Sequence, residues 1–516
     1  MPADLVLINT NIKTLNPKQP HAQAVALTKH KIVKVGSNTE IAPLIGEHTM
    51  VLSLEGKTVV PGLIDTHVHV ADFGRCLLWV DLTKAESIQD VTDILESKAE
   101  KLPAGGWIIG RGWNDKRFKE KRFLKLTDLD KAAPNNPIIL YHEAAYLCAV
   151  NSLALCKAQV TKQTPTPEGG TIDKDHSGEL TGILRDSATN LVWQKVPDPS
   201  LDELSEATAV ACKELVKAGL TSVHWIVLSE IELTLIQRLH TEGKLPLRVN
   251  VIVPQEFYKK AVVGFHSNDS LMLRLGGVFI AIDGYLDSKT AALTEPYSDD
   301  PSNSGKLCFS EEALSGLVGD VLKAGLQPVI HAMGDKAVAM ALKVIEQAPK
   351  PEDIRFRLEQ AALLTPKLLE GLKRLGVVVT VQPKVISTEF TVWSATQHLG
   401  EERAKWLHPL KTLLDSGIKV GGGSDCPMEP LSPLLGMQEV VERPKFVEQR
   451  LTAEQALRLY TLDAAYVSVE EAIKGSIEEG KLADFTVLSS DPEKVQGNQI
   501  KDVGVELVIV HGEVVT

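Results

Sequence analysis

Two histidines one residue apart, in Asp65-Thr66-His67-Val68-His69, close a short apolar stretch that begins at Val59. On a strand, successive side chains alternate, so His67 and His69 face the same way while Val68 packs on the opposite side. Two neutral imidazoles held together are half of a zinc-class site. Taken alone, the pair is equally consistent with surface or capping histidines. Two more residues change the balance. His331 precedes Ala332-Met333-Gly334-Asp335, and Asp425 lies in Gly421-Gly422-Gly423-Ser424-Asp425-Cys426-Pro427, each at the end of an expected strand. A lone aspartate after glycines is more often a turn former. Three histidines and a carboxylate at strand ends instead make a ligand set for an ion that activates water.

The elements that must carry these residues follow a repeated order of helix, glycine and strand. Helices are predicted over 201–218, 311–324, 366–375 and 409–416, followed by Gly219, Gly325, Gly376 and Gly417. Apolar, β-branched strands follow at 221–227, 327–331, 377–382 and 418–425. A glycine just past a helix takes the left-handed residue that ends it. Strands of this kind suit a parallel sheet covered by helices. The repeat predicts an α/β chain built on a (β/α)8 TIM barrel, whose strand ends feed catalytic loops. Nothing matches a GxGxxG fingerprint, which weakens a nucleotide-binding alternative.

Both chain ends read as short strands, among them Leu5-Val6-Leu7-Ile8 and Phe485-Thr486-Val487-Leu488. Isolated hairpins are marginal in water, so one small β-sandwich domain assembled from 1–57 and 475–516 is expected. The barrel then occupies 58–74 and 193–474. The stretch 75–192 breaks the repeat and is expected as a substrate-facing insertion after the first barrel strand.

Composition bounds the function. The chain has 516 residues, 44% hydrophobic and 24% charged, with a formal net charge of −12. That balance argues against a nucleic-acid or membrane-surface partner, each of which needs a basic face. The six cysteines include no CxxC pair, so neither a disulfide framework nor a thiolate zinc site is expected. With no signal-like start and no run of the roughly 20 apolar residues a membrane helix needs, a cytoplasmic protein is expected. A small-molecule substrate is the expected partner, and a homodimer is the commonest soluble assembly.

The chain resembles the amidohydrolase superfamily, and within it the family that includes N-substituted formamide deformylases. The resemblance is carried by Val60-Pro61-Gly62-Leu63-Ile64-Asp65-Thr66-His67-Val68-His69, Leu286-Asp287-Ser288-Lys289-Thr290-Ala291-Ala292-Leu293, His331-Ala332-Met333-Gly334-Asp335, Gly423-Ser424-Asp425-Cys426-Pro427 and Gly475-Ser476-Ile477-Glu478-Glu479-Gly480-Lys481-Leu482-Ala483-Asp484. It implies a metal-activated water attacking a carbonyl or similar carbon, usually with a nitrogen leaving group. It also exposes departures. The family's strand before Asp283-Gly284 carries a lysine that, once carboxylated, bridges two metals; Phe279 stands there. Where the family has Glu-His-Ala, this chain has Glu359-Gln360-Ala361, and glutamine is a poor zinc ligand. A histidine expected shortly before Asn151 is Tyr146.

The remaining set, His67, His69, His331 and Asp425, implies one divalent transition metal, Zn first, with Fe or Mn suiting the same donors. Asp425 is the expected general base and then acid. Gln360 or His224 is expected to orient the water or the tetrahedral intermediate, a core-facing role being the alternative for His224. Asp283 and Lys289 are candidates for substrate contacts or for structural ion pairs. Trp113, with Trp79 and Trp107, is expected either to cover the site or to pack the insertion. The leading function is hydrolysis of a non-peptide C–N bond in a small amide, cyclic amide or amidine-like substrate. One rival, kept open by Phe279 and Gln360, is a protein of the same fold that binds a ligand or partner without hydrolysis. Another keeps the metal for isomerisation or decarboxylation.

Overall fold

The computed structural model describes residues 2–143, 147–265 and 271–515; Tyr146 lies outside them. The chain divides into two compact units, one of residues 1–73 with 211–516 and one of residues 74–210.

The first unit is built on eight parallel strands: β1 (Leu63–Val68), β2 (Leu220–Ile226), β3 (Arg248–Pro254), β4 (Leu273–Ala281), β5 (Gln327–Ala332), β6 (Arg357–Gln360), β7 (Val378–Val381) and β8 (Val420–Gly422). Each pairs with the next in chain order. The ring closes just past β8, where Asp425 N–H donates to the His67 carbonyl (2.8 Å) and His69 N–H to the Cys426 carbonyl (2.9 Å). The end of β1, with His67 and His69, and the loop after β8, with Asp425, thus meet at the seam of the barrel.

The helix–glycine–strand order reflects local chemistry. Ser310 caps the helix Glu311–Lys323 by accepting from Ala313 N–H at 3.2 Å. Thr365 does the same for Pro366–Leu375, and that helix ends at Gly376 with φ +66°, a left-handed conformation that glycine adopts without a Cβ clash. β1, β2, β5, β6 and β7 are buried along their whole length. Strands buried on both faces suit a sheet with helices outside and packed side chains inside.

Both chain ends contribute to one six-stranded sheet, in the order Glu513–Val514, Val505–Val510, Phe485–Leu488, Thr58–Pro61, Asn11–Lys13, His21–Ala22. A four-stranded sheet holds Lys31–Gly36, Ala24–Thr28, Leu5–Ile8 and Met50–Ser53. Leu7, Val25 and Ile32 of one sheet and Ile12, Phe485 and Ile509 of the other belong to one buried cluster. A buried bidentate pair ties β3 to the C-terminal segment, with Arg248 Nε and Nη2 on the Asp484 carboxylate at 2.6 and 2.9 Å. Breaking such a pair strands a charge and typically costs about 3–5 kcal/mol.

The second unit has a mixed six-stranded sheet in the order Gly170–Lys174, Leu180–Asp186, Leu147–Val150, Ile138–His142, Ile108–Trp113, Val80–Asp81. Its core contains Trp113 beside Phe118, Leu129 and Leu140. Trp113 has no exposed surface, and its indole N–H donates to the Leu140 carbonyl at 2.9 Å. The expectation that Trp113 contacts substrate is therefore corrected: an indole already buried and satisfied is a core residue. Trp79 stacks on Tyr141 and meets Trp193 edge-on, within the same unit. Among the described residues, no helix is long and apolar enough to cross a membrane.

Candidate metal centre and active site

β1 delivers the two histidines together with Asp65, which alternation puts on the same face of the strand. Asp65 Oδ1 accepts from His67 N–H (2.9 Å) and from Ser424 N–H (3.0 Å), so one carboxylate clamps β1 to the loop after β8. Burial raises the Asp65 carboxyl to about 6, against the pull of those hydrogen bonds. Gly423 packs there with no room for a Cβ, which would lie 2.6 Å from His67 N. The close approach seats Asp425, with φ +60°, opposite both imidazoles.

The imidazoles of His67 and His69 meet edge-on with centroids 5.2 Å apart. Their Nε2 atoms stand 3.5 and 3.4 Å from the same oxygen, Asp425 Oδ1. Ligand atoms of all three residues lie within 4.8 Å of one another. These spacings are long for hydrogen bonds but natural around an ion, since zinc bonds of about 2.0–2.2 Å at tetrahedral angles separate ligand atoms by roughly 3.3 Å. His69 Nδ1 lies 3.1 Å from the Ile226 carbonyl. A carbonyl only accepts, so Nδ1 carries a proton, and in the neutral ring the Nε2 lone pair then faces Asp425. The donor set fits a divalent cation.

Behind His67 lies a residue that sequence reasoning passed over. Glu359 is fully buried; its Oε1 is 3.3 Å from His67 Nδ1 and accepts from Gln382 Nε2 at 2.8 Å. Its Oε2 accepts from Arg357 Nη2 at 2.6 Å. Burial works to raise this carboxyl, but Arg357 and then His67 outweigh it and hold it well below the usual carboxylate range. His67 answers in kind: burial disfavours its charged form, while Glu359 and Asp425 outweigh burial and raise its pKa. The signal was present in Arg357-Leu358-Glu359, because charged residues two apart on a buried barrel strand both point inward. It was eclipsed by the neighbouring Gln360.

His331 leaves β5 close by but stands outside the three-residue cluster, and both of its buried ring nitrogens lack a hydrogen-bond partner. Burial lowers its pKa to about 4, so it is neutral. Two buried orphan nitrogens are costly unless something else engages them. Phe279 of β4 packs near both histidines, 6.0 Å from the ring of His67 and 5.9 Å from that of His331. Gln360 is buried with φ +68°, and its Oε1 has no partner.

The remaining candidates separate. Asp283 serves as a staple, its carboxylate accepting from Ala292, Met333 and Gly334 N–H at 2.8–2.9 Å. Burial still raises it to about 6. It fixes the turn after β5, with Oδ1 4.0 Å from His331 Nδ1. Lys289 pairs with Asp299 at 3.0 Å. His224 is fully buried on β2 and accepts at Nδ1 from Arg357 Nη1 (3.0 Å), which puts it behind the Arg357–Glu359 pair. Tyr285 was not foreseen. It is 53% exposed, its ring is 5.3 Å from that of His331, and its hydroxyl lies within electrostatic reach of Asp425. Nothing in the local sequence Asp283-Gly284-Tyr285 distinguishes it.

Comparison with known proteins gives a consistent result. A sequence model described as "Amidohydrolase family" matches residues 50–516. YtcJ of Bacillus subtilis, an amidohydrolase by name, is 33% identical over 98% of each chain. The N-substituted formamide deformylase of Arthrobacter pascens is 28% identical over 99% of this chain and 97% of its own. Among solved structures, an uncharacterized metal-dependent hydrolase from Pyrococcus furiosus superposes with a TM-score of 0.80 at 29% identity, covering 95% of this chain and all of the other.

Proposed function

The chain belongs to the amidohydrolase family and is a hydrolase acting on carbon–nitrogen bonds; from that premise we propose that it cleaves a non-peptide C–N bond of a small amide, cyclic amide or amidine-like substrate with the help of one divalent transition metal. The observation that carries this reading is the convergence of His67 Nε2 and His69 Nε2 on Asp425 Oδ1.

His67, His69 and Asp425 would hold the ion, with His331 beside them. When bound, a divalent cation of the Zn, Fe or Mn class supplies Lewis acidity that polarises the scissile carbon's oxygen or nitrogen and makes water reactive near neutral pH. Asp425 takes the proton of the attacking water on its carboxylate and returns it to the leaving nitrogen. The Tyr285 hydroxyl, at the half-exposed rim, donates to the substrate's carbonyl oxygen as charge develops there. His331, kept neutral by burial, remains a lone-pair donor across the working pH range. Phe279 fills with an inert ring the place where a second ion's bridging ligand would stand. The name of the Arthrobacter pascens relative makes N-substituted formamides the first substrate class to try.

The test is the metal content of protein purified without chelator, combined with an amine-release screen over N-substituted formamides, cyclic amides and amidines. About one equivalent of Zn, Fe or Mn per chain and turnover in one class are expected. A protein free of stoichiometric transition metal would sink the reading.

A further inference from the structure

Glu359 is a buried carboxylate that the proposed chemistry leaves unused. Its surroundings fix the direction of every bond around it. Arg357 donates from Nε to Thr380 Oγ1 (2.9 Å), from Nη1 to His224 Nδ1 (3.0 Å), and from Nη2 to both the Thr66 carbonyl (2.7 Å) and Glu359 Oε2 (2.6 Å). A guanidinium has no acceptor, so His224 Nδ1 accepts and its ring is neutral with the proton on Nε2. Gln382 donates to Glu359 Oε1 from one side. The ring nitrogen 3.3 Å from that oxygen, His67 Nδ1, makes no hydrogen bond of normal geometry but faces a carboxylate acceptor, which favours a proton on that nitrogen. In the neutral ring the His67 lone pair is then confined to Nε2, the nitrogen directed at Asp425. His69 reaches the same state through the Ile226 carbonyl.

We infer that Glu359, held in place by Arg357 and His224, is a positioning residue that fixes the tautomer and ring orientation of His67 so that Nε2 is presented to a divalent cation. The inference rests on the metal reading above. Carboxylates behind metal-binding histidines raise ligand basicity and lock the ring, and losing one weakens metal affinity about 10–100-fold.

The experiment measures zinc affinity of the metal-stripped protein by competition with a chromophoric chelator. Glu359→Leu alone leaves a buried guanidinium unpaired, so the variant used combines Arg357→Met with Glu359→Leu and keeps the interior neutral. Thr380→Val removes one Arg357 contact but leaves the Glu359–His67 contact in place. We expect zinc binding at least tenfold weaker in the double variant and within twofold of wild type in Thr380→Val. A smaller loss in the double variant, or an equal loss in both, overturns the inference and leaves the metal reading standing. No zinc uptake by wild-type protein overturns both. A second readout needs no variant to fold differently from wild type: in ¹⁵N-histidine-labelled, metal-stripped protein, His67 should carry its proton on Nδ1. Protonation on Nε2 alone overturns the inference.

Discussion

The ring of Phe279 meets that of His67 nearly edge-on, with centroids 6.0 Å apart and planes at 79°, and its centroid also lies 5.9 Å from that of His331. Phe279 thus borders the rings of both His67 and His331. A hydrocarbon ring cannot ligate.

A non-ligating ring at this position predicts one equivalent of metal per chain, measurable by elemental analysis. Restoring ligands with Phe279→Lys and Gln360→His should raise uptake towards two in bicarbonate-containing buffer. A double variant that stays at one would show that Phe279 and Gln360 are not what limits the site.

Asp425→Asn keeps the size of the side chain and the backbone bond to His67 but removes the proton acceptor. Turnover should fall about 10²–10⁴-fold, the range of a lost general base, with an unchanged circular dichroism spectrum. Retention of full activity would exclude the proton relay.

Tyr285→Phe removes one hydroxyl at a half-exposed position. If it donates to the reacting oxygen, kcat should drop about tenfold, as for loss of one hydrogen bond worth roughly 1.4 kcal/mol. A rise in KM with kcat preserved would assign it to substrate binding alone.

Burial, and next the Arg357 guanidinium, hold His224 well below the usual histidine range. The folded state therefore excludes a proton that the unfolded chain accepts near pH 6.5. Its contribution is complete above pH 6.5 and is lost as pH falls, at up to about 1.4 kcal/mol per pH unit. His331 acts in the same direction, whereas Asp65 and Asp283, both raised to about 6, act oppositely in acid. The difference between proteins isolates His224. His224→Gln, which keeps an acceptor for Arg357, should lose less stability than wild type between pH 6.5 and 4.5 in urea melts. Parallel curves would contradict the assignment.

Trp113→Ala opens a cavity in the core of the 74–210 unit and should cost about 3–5 kcal/mol. Thermal unfolding followed by tryptophan fluorescence reads this as a lowered transition. An unaffected melting profile would return Trp113 to the list of substrate contacts.

Much of this molecule follows from local rules. Alternation along Leu63–Val68 places His67 and His69 on one face. Serine and threonine caps and left-handed glycines mark the helices, and β-branched runs mark the strands that bring His331 and Asp425 to strand ends. Those rules act over a few residues, which is why the barrel was legible. What local rules cannot supply is the packing between strands distant in sequence. The 3.3 Å approach of Glu359 to His67, the Arg357 link to His224 and Thr380, the burial of Trp113 and the rim position of Tyr285 depend on register and side-chain volume around the whole ring. The sequence by itself determined which residues could bind and activate. Only the tertiary structure decided which nitrogen of His67 faces the site, because that choice is made by a carboxylate 292 positions further along the chain.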